Sequence, residues 1–129
     1  MRRLSWCLVV WLCFVASADA EAPQIKIGSK KFTESVILGE LLVHLAESTG
    51  AQAEHRQEMG GTRILWTALL NGDIDIYPEY TGTITQEILA GEGVAGWDQI
   101  QRALAERDLG VSAPLGFNNT YAIGVKETL

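Results

Sequence analysis

The stretch Asp73-Ile-Asp-Ile-Tyr-Pro-Glu-Tyr-Thr-Gly-Thr83 concentrates side chains that can hold a ligand. Tyr77, Glu79, Tyr80, Thr81 and Thr83 fall at a single junction. Ile74 and Ile76 alternate with Asp75 and Tyr77, as in a short buried strand. Pro78 has no amide hydrogen and cannot continue a central strand. Thr81-Gly82-Thr83 then offers a hydroxyl cap and a flexible glycine at the head of a helix over Ile84–Leu89. A strand's carboxyl end running into a helix start is where open α/β sheets hold their ligands. From spacing alone, a strand–turn–helix joint with an incidental tyrosine pair is slightly preferred. Catalytic chemistry finds no footing. No nucleophile stands with its base, and there is no Walker loop and no acid pair set for catalysis. His44 and His55 are far apart in sequence and lack ligand-like neighbours, which argues against a metal site. The chain therefore reads as a non-enzyme that needs no cofactor.

The elements around this junction follow from periodicity. Ile25-Lys26-Ile27 alternates as a strand, and Gly28 to Phe32 follows as a loop. Thr33 is a plausible N-cap for a helix running to about Ser48, with Ile37, Leu41 and Leu45 as its apolar stripe, widened by Val36, Gly39 and Val43, and Gly50 as its stop. A weaker strand spans Gln52 to Glu58. Gly60-Gly61-Thr62 is a turn that can cap a helix over Arg63 to Leu70, whose apolar face is Ile64, Leu65, Ala68 and Leu69. Asn71-Gly72 ends it, and the strand Ile74–Tyr77 follows. After Ile84–Leu89, Gly91 to Gly96 is a loop. Trp97-Asp98 opens another helix with Ile100 and Leu104 on one side, closed by Gly110. Trp66 and Trp97 read as packing residues. Val111 to Ala113 is short and extended, and Tyr121 to Val125 is a last strand. Alternation of this kind predicts an α/β fold, a mostly parallel sheet with helices on both faces. The last strand has no helix after it, which reads as a sequence cut short.

Composition bounds the rest. At 129 residues the chain is a single domain at most. Arg2 and Arg3, the apolar run Leu4 to Ala16 and the site Ala18-Asp19-Ala20 form a signal peptide, residues 1–20, cleaved after Ala20. The run is too short for a comfortable membrane span. Its removal takes away both cysteines, Cys7 and Cys13, so the exported chain carries no disulfide. The formal net charge is −6, and losing Arg2 and Arg3 against Asp19 makes the remainder more acidic. An acidic exported domain is a poor partner for nucleic acid or for an anionic membrane surface.

Five segments stand in register from Ile25 to Val125: Gly28-Ser29-Lys30-Lys31-Phe32-Thr33-Glu34, Leu38-Gly39-Glu40, Gly60-Gly61-Thr62, Tyr77 to Thr83, and Leu115-Gly116-Phe117-Asn118-Asn119-Thr120-Tyr121-Ala122. Together they closely resemble the substrate-binding proteins of ABC importers for glycine betaine, choline and related osmoprotectants. The resemblance implies the first lobe of a type II periplasmic-binding-protein fold over residues 21–129, with the second lobe missing. It implies a periplasmic receptor that partners a small-molecule quaternary amine and an ABC permease, and that meets the membrane only through that permease.

A trimethylammonium group has no N–H donor and is held by aromatic faces, at about 0.5–2 kcal/mol per ring. By resemblance Tyr80 and Tyr121 are walls of such a cage. Lys30 and Thr83, each near a helix start, are implied for the ligand's polar end, with Ser29 and Asn119 as weaker loop contacts. Tyr77 reads as structural, and Glu79 as either a rim charge or a contact for the permease. The alternative reading is a truncated, non-transporting lobe that serves as an interaction or regulatory piece or is a relic.

Overall fold

The computed structural model describes residues 23–119 together with Gly124 and Lys126. The leader at residues 1–20 and the last strand with Tyr121 lie outside the described residues. Strand β1 (Gln24–Lys30) pairs in parallel with β2 (Gln52–Gly60). The register runs from Gln24 opposite Gln52 to Gly28 opposite Arg56, and an irregularity then sets Lys30 opposite Gly60. Both strands run further than periodicity suggests. Gly28, Ser29 and Lys30 belong to β1 rather than to a loop, because all three are buried in the sheet.

Helix α1 (Thr33–Ser48) packs on one face of this ribbon and α2 (Thr62–Leu70) on the other. Alternation along β1 shows which side chain serves which face. Ser29 points toward α1, where His55 lies beneath Gly39. Gly28 and Lys30 point toward α2: a Cβ on Gly28 would meet Leu65 and Ile74, and the Lys30 ammonium reaches Thr62.

Several expectations are corrected. The helix caps are Phe32 and Gly61, one residue before Thr33 and Thr62, and neither helix has a side-chain cap. Thr62 accepts from Lys30 instead. The stripe Ile37, Leu41 and Leu45 does not face the sheet; it is 55%, 58% and 63% exposed. Ser35 and Gly39 are the buried residues of α1, since small side chains let the helix sit close to the ribbon. On α2 the buried apolar residues are Leu65 and Ala68, whereas Ile64 is exposed.

The strand expected at Ile74–Tyr77 narrows to a single parallel bridge, Ile27 to Ile76. Backbone bonds hold it: Gly28 N–H donates to Ile76 O at 2.9 Å and Asp75 N–H to Lys26 O at 2.8 Å. Asp75 Oδ2 accepts from Lys26 N–H at 2.7 Å, which takes over part of a ladder's work. Pro78 ends the segment, as its missing donor requires. Helix α3 (Thr81–Thr83) follows, with Tyr80 at the capping position, and continues as a π-helical turn over Ile84–Ile88. The helix expected at Ile84–Leu89 is thus widened. Leu89 N–H donates five residues back to Ile84 O at 2.8 Å. The Thr85 hydroxyl donates to the carbonyls of Thr81 and Gly82. Helix α4 (Trp97–Ala105) buries Ile100, Ala103 and Leu104.

The apolar interior has two parts. Leu65, Ala68 and Ile74 pack with Met59 and Tyr77 beneath β1. Ile84, Leu89, Ile100, Ala103 and Leu104 form the second part, with Trp66 and Trp97 against them. The bridged segment and α3 run between the two parts, which fixes where Glu79 and Tyr80 emerge.

Candidate functional site

Three chain segments converge on Tyr80: the end of β1, the start of α1, and the turn-rich segment near Asn119. Position 80 sits where backbone leaving Pro78 enters α3, so its ring stands at the amino end of that helix. The Phe32 ring lies 6.1 Å away between centroids, tilted by 34°. Tyr80 Oη donates to Glu34 Oε1 at 2.6 Å. Asn119 Nδ2 donates to the same carboxylate, at 3.2 Å to Oε2 and 3.3 Å to Oε1. Burial, aided by the Glu34 hydrogen bond, pushes the Tyr80 phenol up to about 12, so it stays a neutral donor at ordinary pH.

Lys30 approaches the same ring from the sheet. Its Nζ lies 5.6 Å from the Tyr80 centroid, within cation–π range. It donates to Thr62 Oγ1 at 3.1 Å and to Glu79 Oε1 at 2.5 Å. The Lys30 and Glu79 side chains are 6% and 8% exposed, so this is a buried ion pair. Glu79 Oε1 also accepts from Tyr80 N–H at 2.9 Å, and the Tyr77 phenol stands against the same carboxylate. Lys30 N–H donates to Ser35 Oγ at 2.8 Å, tying the strand end to α1. Glu79 is therefore neither a rim charge nor an exposed contact; it is the counter-ion of Lys30. Among the described residues, the sum around the ring is one ammonium against two carboxylates, which favours positive charge.

Of the residues expected at the ligand, the structure brings together Lys30, Tyr80 and Asn119. Thr83 stands one helical turn after Tyr80, half-buried. Ser29 lies elsewhere. It is fully buried on the α1 face, bonded to His55 Nε2 at 2.9 Å and accepting from Glu58 N–H at 3.3 Å. Tyr121 lies outside the described residues. His55 Nδ1 meets Glu40 Oε1 at 2.7 Å, and that hydrogen bond holds the Glu40 carboxyl below its usual range. Tyr77 is packed: burial first, and then the charge of Glu79, raise its pKa. Glu34, Phe32 and Thr62 were not expected at the site. Glu34 reads in sequence as an acid in a helix's first turn, and only its position inside a matched motif hints at more.

Residues 23–129 match the family model described as the substrate binding domain of ABC-type glycine betaine transport system. The chain belongs to that family, whose members are binding components of transporters rather than enzymes. The glycine betaine-binding protein YehZ of Escherichia coli K12 is 30% identical over 127 residues, 92% of this chain and 41% of that protein. The carnitine transport binding protein OpuCC of Listeria monocytogenes is 33% identical over 113 residues, 80% of this chain and 36% of that protein. The ergothioneine transport permease/ergothioneine binding protein EgtU of Helicobacter pylori is 31% identical over 122 residues, 92% of this chain and 22% of that protein. The chain thus spans less than half the length of these relatives. Apo YehZ from Escherichia coli superposes with a TM-score of 0.58 at 30% identity, over 66% of this chain and 32% of that one. The α/β fold expected from sequence, with its parallel strands and flanking helices, is that of a periplasmic binding protein.

Proposed function

We propose that this chain supplies the first lobe of an exported receptor for a quaternary amine such as glycine betaine or choline, passed on to an ABC permease. The observation that carries the reading is the Tyr80 ring at the start of α3, beside Phe32 and within a net negative cluster. A permanent cation without N–H groups is held by such ring faces and by nearby negative charge. Tyr121 adds a second wall in this reading, and a second lobe supplies the others. Lys30 and Thr83 meet the ligand's carboxylate or hydroxyl, and Asn119 supports the cleft through Glu34. Residues 1–20 direct export to the periplasm and are removed. The names of the relatives, which bind glycine betaine, carnitine or ergothioneine, support this ligand class. Calorimetric titration of the native-length protein with glycine betaine and choline tests it. Saturable heat below millimolar concentration is expected, and no heat from either ligand up to millimolar overturns the reading.

A second reading, a lobe that serves as an interaction piece and binds no solute, draws on the exposed stripe Ile37, Leu41 and Leu45. Capture of the permease by a protein that gives no heat with any amine would favour it.

A further inference from the structure

Glu79 holds the Lys30 ammonium from within the fold, with both side chains almost wholly buried. Its Oε1 accepts twice, from Lys30 Nζ and Tyr80 N–H, and the Tyr77 phenol stands against the same carboxylate. Glu79 also borders a groove of about 230 Å³, lined in part by Trp66, Tyr77, Ile84 and Val111. Lys30 has donated two of its three N–H groups, to Glu79 and Thr62, and its charge is already balanced.

We propose that Glu79 is a specificity-determining residue: an internal counter-ion that a ligand carboxylate must displace from Lys30 or share with it. This rests on the amine-receptor reading and refines it. For a zwitterionic amine, Glu79 competes with the ligand's own carboxylate for the Lys30 ammonium. For a purely cationic amine, Glu79 adds negative charge near the ring and helps. The two effects oppose each other across ligand classes, so Glu79 sets the preference between them rather than overall affinity. Glu34 differs in kind, since its oxygens are engaged by Tyr80 and Asn119 and, among the described residues, no cation pairs with it.

The test measures dissociation constants for glycine betaine and choline on the native-length protein, in the wild type and in Glu79→Gln. Removing one charge several ångströms from the ligand should shift the selectivity ratio toward glycine betaine by about tenfold. In a Lys30→Met background the gain for glycine betaine should vanish, which a merely structural role would not produce. Glu79→Asp keeps the charge but withdraws it from Lys30, and covers the case in which E79Q does not fold; its ratio should move the same way by a smaller factor. Equal changes for both ligands, or a shift toward choline, overturn the inference and leave the receptor reading standing. Failure of the wild type to bind either ligand overturns the receptor reading, and this inference with it.

Discussion

Lys30 and Glu79 depend on each other more than on solvent, because both side chains are almost wholly buried. Breaking such a pair from one side leaves a charge in a medium that cannot solvate it. Lys30→Met should therefore cost about 3–5 kcal/mol of stability, and the double variant Lys30→Met with Glu79→Gln should recover part of that loss. A double-mutant cycle in urea reads the difference directly; strictly additive costs would refute the coupling. Tyr80 makes a separate prediction about pH. Its ordinary value of 10.0 rises to about 12 in the fold. Between those values the unfolded chain loses the phenolic proton while the folded chain keeps it. Stability from this group is full below the unfolded value and is lost as pH rises through about 10 to 12. Tyr80→Phe should flatten that part of the stability–pH curve, followed by denaturant midpoint.

At the scale of elements, α1 is held by close approach rather than by an apolar stripe. A Cβ on Gly39 would run into the His55 ring, which bridges Ser29 and Glu40. Alanine in place of a mid-helix glycine normally gains about 1 kcal/mol, whereas overpacking costs about 1–3 kcal/mol. The clash should win, and Gly39→Ala should lower the denaturant midpoint without changing the slope. On α2 the order is set by which neighbour faces the ribbon. Leu65→Ala, at 0% exposure, should cost about 2–5 kcal/mol, and Ile64→Ala, at 54% exposure, well under about 1 kcal/mol. Equal losses would mean the helix is rotated. The helices and their ends were legible because Gly50 and Asn71-Gly72 punctuate plain helical spacing. The face that α1 turns inward was legible only at the edge of the stripe, in Val36, Gly39 and Val43, since a period of three to four marks an apolar stripe and not its partner. The strand at Ile74–Tyr77 was legible as an extended segment but not as a lone bridge, which depends on Asp75 replacing ladder bonds. Within the site, Tyr80 and Lys30 were legible through their motifs. Glu34 was not, because its meeting with Tyr80 spans 46 residues of chain and its meeting with Asn119 spans 85.

Across the whole molecule, large apolar side chains stay in contact with water. Phe32, Ile37, Leu41, Leu45, Leu115 and Phe117 are all exposed among the described residues. Grouped exposed apolar surface favours association, while a net charge of −6 opposes it through repulsion that salt screens. Residues 23–129 produced alone should thus self-associate more as salt is raised, seen as a growing sedimentation coefficient. A monomer at both low and high salt would show that the exposed apolar groups are too dispersed to act together. Charge and apolar surface have separate origins here: acids are spread along the chain, whereas exposed apolar groups gather on one face of α1 and in the segment before Asn119, with Ile64 and Leu70 on α2.

The widened turn after α3 has a bearing on how this sequence could drift over generations. Ile84–Ile88 holds one residue more than ordinary helical pitch needs, closed by the bond from Leu89 to Ile84. Deleting a single residue there would tighten the turn and leave Trp97–Ala105 in its place. The same loss inside Thr33–Ser48 would rotate every following side chain by roughly a quarter turn or more. Length variation among lineages should therefore collect at this spot, a few residues from Tyr80, without disturbing the ring it presents.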